Sequence, residues 1–416
     1  MNVFLTLFQS KHSAKIKPIL FIGAFLTSHS VMASGGHAHD VHHHKLDPGF
    51  HLDFGVGVQF VEANNPWPEA RLQGVLEAGS EREDEAGLSV SYLELGASYV
   101  FDEHAQMVFK VAKHGLDLNP EIEAAYIEYT DMAVGSTNLD TRFGRQQVPI
   151  GLLNQQEKHA WLMGVAPIAM RAVLNDSWRS DGLNLHLETQ TPWYFDIGAW
   201  ANRFVPGGEI TTTKINTYSV KVGWQDQQGL LNSQYEIGYA KLDVIGRALS
   251  TIGAERHTHS LPSCDVIDEN RICFAGDVDL VNAAAKWKYD SYWLSGEVFY
   301  KREEGRLDSV FGVPNYQSEF LGAWLDFGVE MSQNLNGMLR LQHNLVNHQI
   351  EGVNAQLISD QAKISDSEDP LSALGVAISY QANKAHFYSA EMHREWLGDA
   401  QNNVLLLRYH YALSLR

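Results

Sequence analysis

Val404-Leu405-Leu406-Leu407-Arg408-Tyr409-His410-Tyr411-Ala412-Leu413-Ser414-Leu415 is the stretch that decides the fold class. Successive side chains of an extended strand point to opposite faces, so the odd positions Leu405, Leu407, Tyr409, Tyr411, Leu413 and Leu415 share one side. Arg408, His410, Ala412 and Ser414 share the other. One face suits hydrocarbon and the other suits water, which is the pattern of a strand in a transmembrane barrel wall.

Working back from this end, the same split recurs. Trp193, Phe195, Ile197, Ala199 and Ala201 oppose Asp196, Gly198 and Asn202; Tyr218, Val220, Val222 and Trp224 oppose Ser219, Lys221 and Gly223. Leu321, Ala323, Leu325, Phe327 and Val329 oppose Gly322, Asp326 and Gly328, with Trp324 the one large inner residue. A soluble β-sandwich also alternates, so connection lengths have to discriminate. They alternate between tight turns, near residues 102–104, 190–192, 226–229, 289–290 and 382–384, and long loops near 63–87, 147–179, 243–276, 304–316 and 348–370. Tight periplasmic turns and long external loops are a barrel trait. The count predicts sixteen strands, at 51–62, 88–101, 105–114, 121–131, 139–146, 180–189, 192–203, 214–225, 230–242, 277–288, 291–303, 317–330, 335–347, 371–382, 385–396 and 402–415. Residues 69–79 also read weakly as strand and are assigned to the first external loop as a local hairpin.

The start of the chain supplies an address. Lys11, Lys15 and Lys17 precede an apolar run from Pro18 to Thr27 that ends in Val31-Met32-Ala33-Ser34. That run is about half the ~20 residues a helical span requires, so residues 1–33 read as a cleavable secretory signal. Residues 34–50 then form a histidine-rich tail and 51–416 the barrel. Removing the signal leaves 28 basic against 50 acidic side chains, a formal charge of −22, which argues against nucleic acid as a partner. No later stretch approaches the length of an apolar helical span. Outer-membrane lipid is the expected surrounding and small hydrophilic solutes or ions the expected cargo.

The first third of the chain resembles the phosphate-selective (polyphosphate-selective) porin family. A first strand, Phe50 to Phe60, is followed by a strand pair from Leu93 to Val111 hinged at Asp102-Glu103-His104, then by Glu123-Ala124-Ala125-Tyr126-Ile127-Glu128-Tyr129. Next comes Gly144-Arg145-Gln146-Gln147-Val148-Pro149-Ile150-Gly151-Leu152, similar to the family's G-[KRQ]-x-x-x-P-x-G-L run at the start of a long third loop, and Asn175 to Leu185 fits the return from it. The resemblance covers about residues 50–190 in order and pattern and the remainder only in strand rhythm. It implies a sixteen-stranded barrel, often a homotrimer, whose third loop folds into the lumen. Here that role falls to Val148 to Asn175, carrying Glu157, Lys158, His159, Trp161, Met163, Met170 and Arg171. The chain departs from many outer-membrane barrels in ending Leu415-Arg416 rather than in an aromatic residue.

Charges expected on the inner face by this register are Lys110, Glu128, Arg142, Asp196, Lys221, Glu236, Glu297, Asp326, Arg340 and Arg408. Mixed signs imply a hydrated lumen with a transverse field that filters ions; the plain alternative is interstrand pairing that satisfies the wall. His37, His39, His42, His43 and His44, with Asp40, lie within eight residues, a ligand density suited to Zn²⁺ or a similar divalent ion; the alternative is a leader with no specific ligand. His257 and His259 precede Cys264 and Cys273, which in an exported chain are expected to form a disulfide, with a Cys₂His₂ zinc site as the alternative. No Gly-x-Ser-x-Gly, His-Glu-x-x-His or phosphate-binding glycine loop occurs, so no enzymatic role is expected and no cofactor is required. The sequence therefore reads as a passive outer-membrane porin linked to zinc or another divalent metal, with an anion-selective porin or a non-transporting surface barrel as alternatives.

Overall fold

A computed structural model describes residues 48–64, 86–114, 120–156, 160–202, 206–207, 214–250, 264, 267, 271–362, 364, 370–397 and 400–415. The signal segment, residues 34–47 of the histidine tail with all five of its histidines, residues 69–79, Glu157 to His159, His257 and His259 lie outside the described residues. The strands are β1 (Gly49–Ala63), β2 (Gly87–Val100), β3 (Ala105–Lys113), β4 (Glu121–Val134), β5 (Thr137–Gln147), β6 (Arg179–Glu188), β7 (Trp193–Ala201), β8 (Thr217–Gln228), β9 (Leu231–Ser250), β10 (Arg271–Tyr289), β11 (Tyr292–Asp308), β12 (Asn315–Ser332), β13 (Leu335–Glu351), β14 (Leu371–Asn383), β15 (His386–Leu397) and β16 (Ala400–Leu415). Each pairs antiparallel with its chain neighbours, and β1 closes on β16 from Leu52↔Leu415 to Ala63↔Val404. The expected sixteen-stranded closed barrel is the fold. Closure leaves no strand edge unpaired, which is what allows strands to cross hydrocarbon.

Seven tight connections join even-numbered strands to the next odd one, so they all lie at one end of the barrel. Gly135 and Gly229 supply the positive φ (64° and 62°) that two-residue hairpin turns require. At Gly135 the strands run closer together than the periodicity suggested: β4 continues to Val134 through an irregularity between Tyr129 and Met132, and Asp131 sits at φ 57°. The irregularity interrupts the alternation there, which is why residues 132–138 read as a loop.

The outer face is an apolar band. On β11 it runs from Tyr292 through Leu294, Gly296 and Val298 to Tyr300, eight residue steps. At ~3.4 Å per residue that is about 27 Å of strand, on the order of the ~25 Å apolar band of an outer-membrane barrel before tilt is allowed for. Beyond Tyr300 the polarity inverts. Arg302, Glu304, Arg306 and Asp308 now point outward, while Leu307 and the neighbouring Tyr316 and Phe320 are buried inside. The same inversion occurs at Lys241 and Asp243 of β9 against buried Leu242 and Val244, and at Asp277 and Asp279 of β10 against buried Val278 and Leu280. Tyrosines mark the crossover: the Tyr239 hydroxyl donates to Asp279 at 2.6 Å and that of Tyr300 to Glu319 at 3.3 Å. These strands therefore continue past the hydrocarbon, with a charged exterior and an apolar interior. The predicted loop at 243–276 is accordingly much shorter, and Cys273, bonded to Cys264, lies on β10 rather than in a loop.

Candidate functional site: the lumen and the third loop

Loop three begins after β5 and is tied at its base by one side chain. Asn154 donates from Nδ2 to the carbonyls of Val148 (2.8 Å) and Trp178 (3.2 Å) and accepts from the Trp178 N–H at 2.6 Å. The Val148 N–H also donates to Trp178 O at 2.9 Å, so the two ends of the loop are stapled together. Within it stands α1 (Ile168–Leu174), a seven-residue helix buried on every side and ended by Asn175 in the left-handed conformation. An element of this length has no helical stability of its own, so packing inside the barrel holds it.

That packing is two-fold. Ile150, Trp161, Ile168, Met170, Val173 and Leu174 form one apolar cluster with inward residues of β9 to β14, among them Leu242, Phe274, Phe299, Phe320, Trp324 and Val346. Ile358 of a second helix, α2 (Ala355–Ala362), joins the same cluster. The loop's main chain is clamped by charged and polar wall groups. Arg408 donates to Leu162 O (2.8 Å), Gly164 N donates to both carboxylate oxygens of Glu391 (3.0 Å), Arg340 donates to Val165 O (3.1 Å), Ile168 N donates to the side-chain Oε1 of Gln342 (2.7 Å) and Lys301 to Ala172 O (3.3 Å). On the opposite flank Lys221 donates to Gln155 at 2.9 Å, and Gln155 donates to Glu236 at 3.1 Å. Loop three thus lies inside the ring of strands and packs against the inner side of β8 to β16, with Val165 also set against a cluster that includes Val61 of β1.

The expected inner charges fall into two groups. Asp326 and Arg340 form a two-pronged pair (both bonds 2.7 Å), Arg408 pairs with Glu391 (2.7 Å), and Lys221 lies between Asp196 (3.0 Å) and Glu236 (3.6 Å). All of these are buried. Glu297 is buried too and accepts from Asn282 at 2.9 Å. Arg171 does not face the passage: its guanidinium is buried 3.6 Å from Glu395. The second group sits on the narrower wall. Lys110 lies 3.4 Å from Glu94, and Arg142 donates from Nε to Glu128 at 3.0 Å while stacking over the Tyr126 ring at 4.8 Å. His114 and Arg179, which the sequence reading missed, converge on Glu123 at 3.0 and 2.8 Å. His114 shares the parity of Lys110 on the strand predicted at 105–114, whereas Arg179 fell in the predicted loop 147–179 and carried no such signal. His186, also missed, meets Asp196 at 3.0 Å on the inner face of β6 and β7, and its place there follows from the alternation of Asn184, His186 and Glu188. Among the described residues no group of three His, Cys, Asp or Glu side chains is placed to hold a metal ion.

Comparison with known proteins is consistent with this architecture. The outer-membrane protein OmpT of Vibrio cholerae matches as a loop-L8 deletion mutant (TM-score 0.53, 9% identity, covering 88% of this chain and 98% of that one). It also matches in its trimer form (TM-score 0.50, 10% identity, 88% and 100%). An anion-selective porin from Comamonas acidovorans matches with TM-score 0.51 at 13% identity over 88% and 99%. The chain shares the closed-barrel fold of these outer-membrane proteins. The outer-membrane channel DcaP of Acinetobacter baumannii agrees, at TM-score 0.51 and 10% identity over 88% and 96%. No family model matches the chain, and no curated protein does. At such identities the likeness is one of fold, and the Gram-negative outer membrane is the location that a lipid-banded barrel of this kind occupies.

Proposed function

We propose that this protein is a porin through which small hydrophilic solutes or ions diffuse passively, in a lumen narrowed by loop three. One observation carries the reading: beside a loop that fills much of the barrel, the inner wall of β2 to β5 keeps charged side chains, Lys110 and Arg142, in partial contact with solvent. Apolar packing would have closed that wall as it closes the other. Charges of both signs along a water-filled path filter ions by the local field without any coupling to energy. No enzymatic step is part of this reading. A homotrimer is the proposed assembly, supported by the family resemblance of the first third of the chain and by the trimer form recorded for the V. cholerae protein.

The test is single-channel current of the refolded protein in a planar bilayer under a salt gradient. A steady conductance upholds the porin, and silence at all voltages would point to a non-transporting surface barrel. Membership of the phosphate-selective family would add a clear anion preference to that conductance. The metal link is a separate part of the proposal and rests on the histidine tail. Zinc is expected to bind the full chain and to reduce the current at micromolar concentration, and both effects should vanish when residues 37–44 are deleted. Unchanged zinc binding after deletion would remove the tail from the function.

A further inference from the structure

The expected inner charges are not equivalent once their contact with solvent is compared. In the pairs that hold loop three, the cations are sealed: the side chains of Lys221 and Arg340 are 2% exposed and that of Arg408 is 3%. On the β2 to β5 wall Lys110 is 17% and Arg142 37% exposed. In each of these pairs the cation is also the more exposed partner, with Glu94 at 9% and Glu128 at 6%. The carboxylates are thus the more deeply buried partners and the cationic ends the ones that meet solvent.

Resting on the porin reading, we propose that the solute path is an off-centre lane along β2 to β5, and that Arg142 is the specificity-determining residue of that lane. Loop three does not narrow the barrel evenly. Its apolar face and α1 bond with β8 to β16 into a dry seam, where Asp326, Arg340, Arg408 and Lys221 fix the loop and meet no permeant ion. Arg142 is poised differently. Glu128 and the Tyr126 ring orient its guanidinium from behind, leaving donor N–H groups toward the lane, and a passing ion interacts with that charge in a confined, partly desolvated space. Gln106 donates to the other oxygen of Glu128 at 2.5 Å, so the carboxylate is held in place as a positioning group rather than a free anion.

The chain suits a direct test, because both of its cysteines are bonded to each other and any introduced cysteine is the one free thiol. Arg142→Cys and Ser98→Cys, on the inner face of the β2 to β5 wall, are compared with Ala240→Cys and Ala373→Cys on the inner face of β9 and β14. In the folded full-length barrel a water-soluble methanethiosulfonate is expected to label the first two faster than the last two by at least about tenfold. Reversal potential then tests the role of Arg142. Arg142→Cys should shift ion preference toward cations relative to the parent, a positively charged reagent on that thiol should reverse the shift, and a sulfonate should deepen it. Equal labelling on both sides of the lumen would overturn the lane. A reversal potential indifferent to the charge at position 142, in a protein that conducts, would overturn the role of Arg142. Absence of conductance in the parent strikes at the porin reading instead, while the labelling rates still decide which side of the lumen is open.

Discussion

Single buried pairs decide how loop three is held. Asp326 and Arg340 are both sealed from water, and Arg340 reaches on to the Val165 carbonyl. Removing one partner strands the other charge, so Asp326→Ala is expected to destabilise the folded barrel by about 3–5 kcal/mol in urea unfolding, whereas the double change to Leu and Met should recover most of the loss. A Asp326→Ala midpoint equal to the parent's would show that Arg340 finds another partner. Gly144 is a second such position, for a steric reason. It has φ +128°, and a Cβ there would sit 2.2 Å from the Ala125 carbonyl oxygen across the β4–β5 ladder. Gly144→Ala should therefore reduce the yield of folded, heat-modifiable barrel on a gel, while alanine at Gly87, which has open space around it but also φ +130°, should strain the backbone without the clash and be milder.

At the scale of elements, loop three and the strands around it are stabilised by different interactions. The strands are joined by ladders that close the ring; α1 is held by apolar contact and by a few clamps on its main chain. A carboxylate placed in that seam, as in Val173→Asp, carries a burial penalty of several kcal/mol that the loop can escape by leaving the wall. The expected result is an intact barrel with larger and noisier single-channel current; an unchanged current would mean that α1 tolerates the charge in place. The strands make their own prediction through the polarity inversion. Leu325 lies within the outward apolar band of β12 and Gln317 beyond it, in the charged rows. Leu325→Arg is expected to cost about 2–4 kcal/mol in a lipid-bilayer unfolding assay and Gln317→Arg only about 0–1. Equal costs would place the hydrocarbon boundary elsewhere.

For the whole molecule, the sequence by itself determined that sixteen strands alternate between lipid and water and that tight turns fall at one end, because a strand's two-residue period writes the environment of both faces into the order of residues. Inner placement of Lys110, Glu128, Arg142, Asp196, Lys221, Asp326, Arg340 and Arg408 follows from that period alone. The predicted strands 230–242 and 277–288 already held Lys241-Leu242 and Asp277-Val278-Asp279-Leu280, whose apolar side is turned inward, but the continuation of β9 past Leu242 through Asp243-Val244 and the start of β10 before Asp277 fell in the predicted loop, because the outward face there is no longer apolar. Which inner charges meet water was not legible. Arg142 and Arg340 both fall on the inner face by the same alternation and both have an acidic partner on the adjoining strand, yet one is partly solvated and the other sealed. The difference arises from where loop three comes to rest, and that depends on apolar contacts between residues 150–174 and β9 to β14, far along the chain. Periodicity is local and reports the face of a strand; only the closed ring, with its loop packed inside, decides what stands opposite that face.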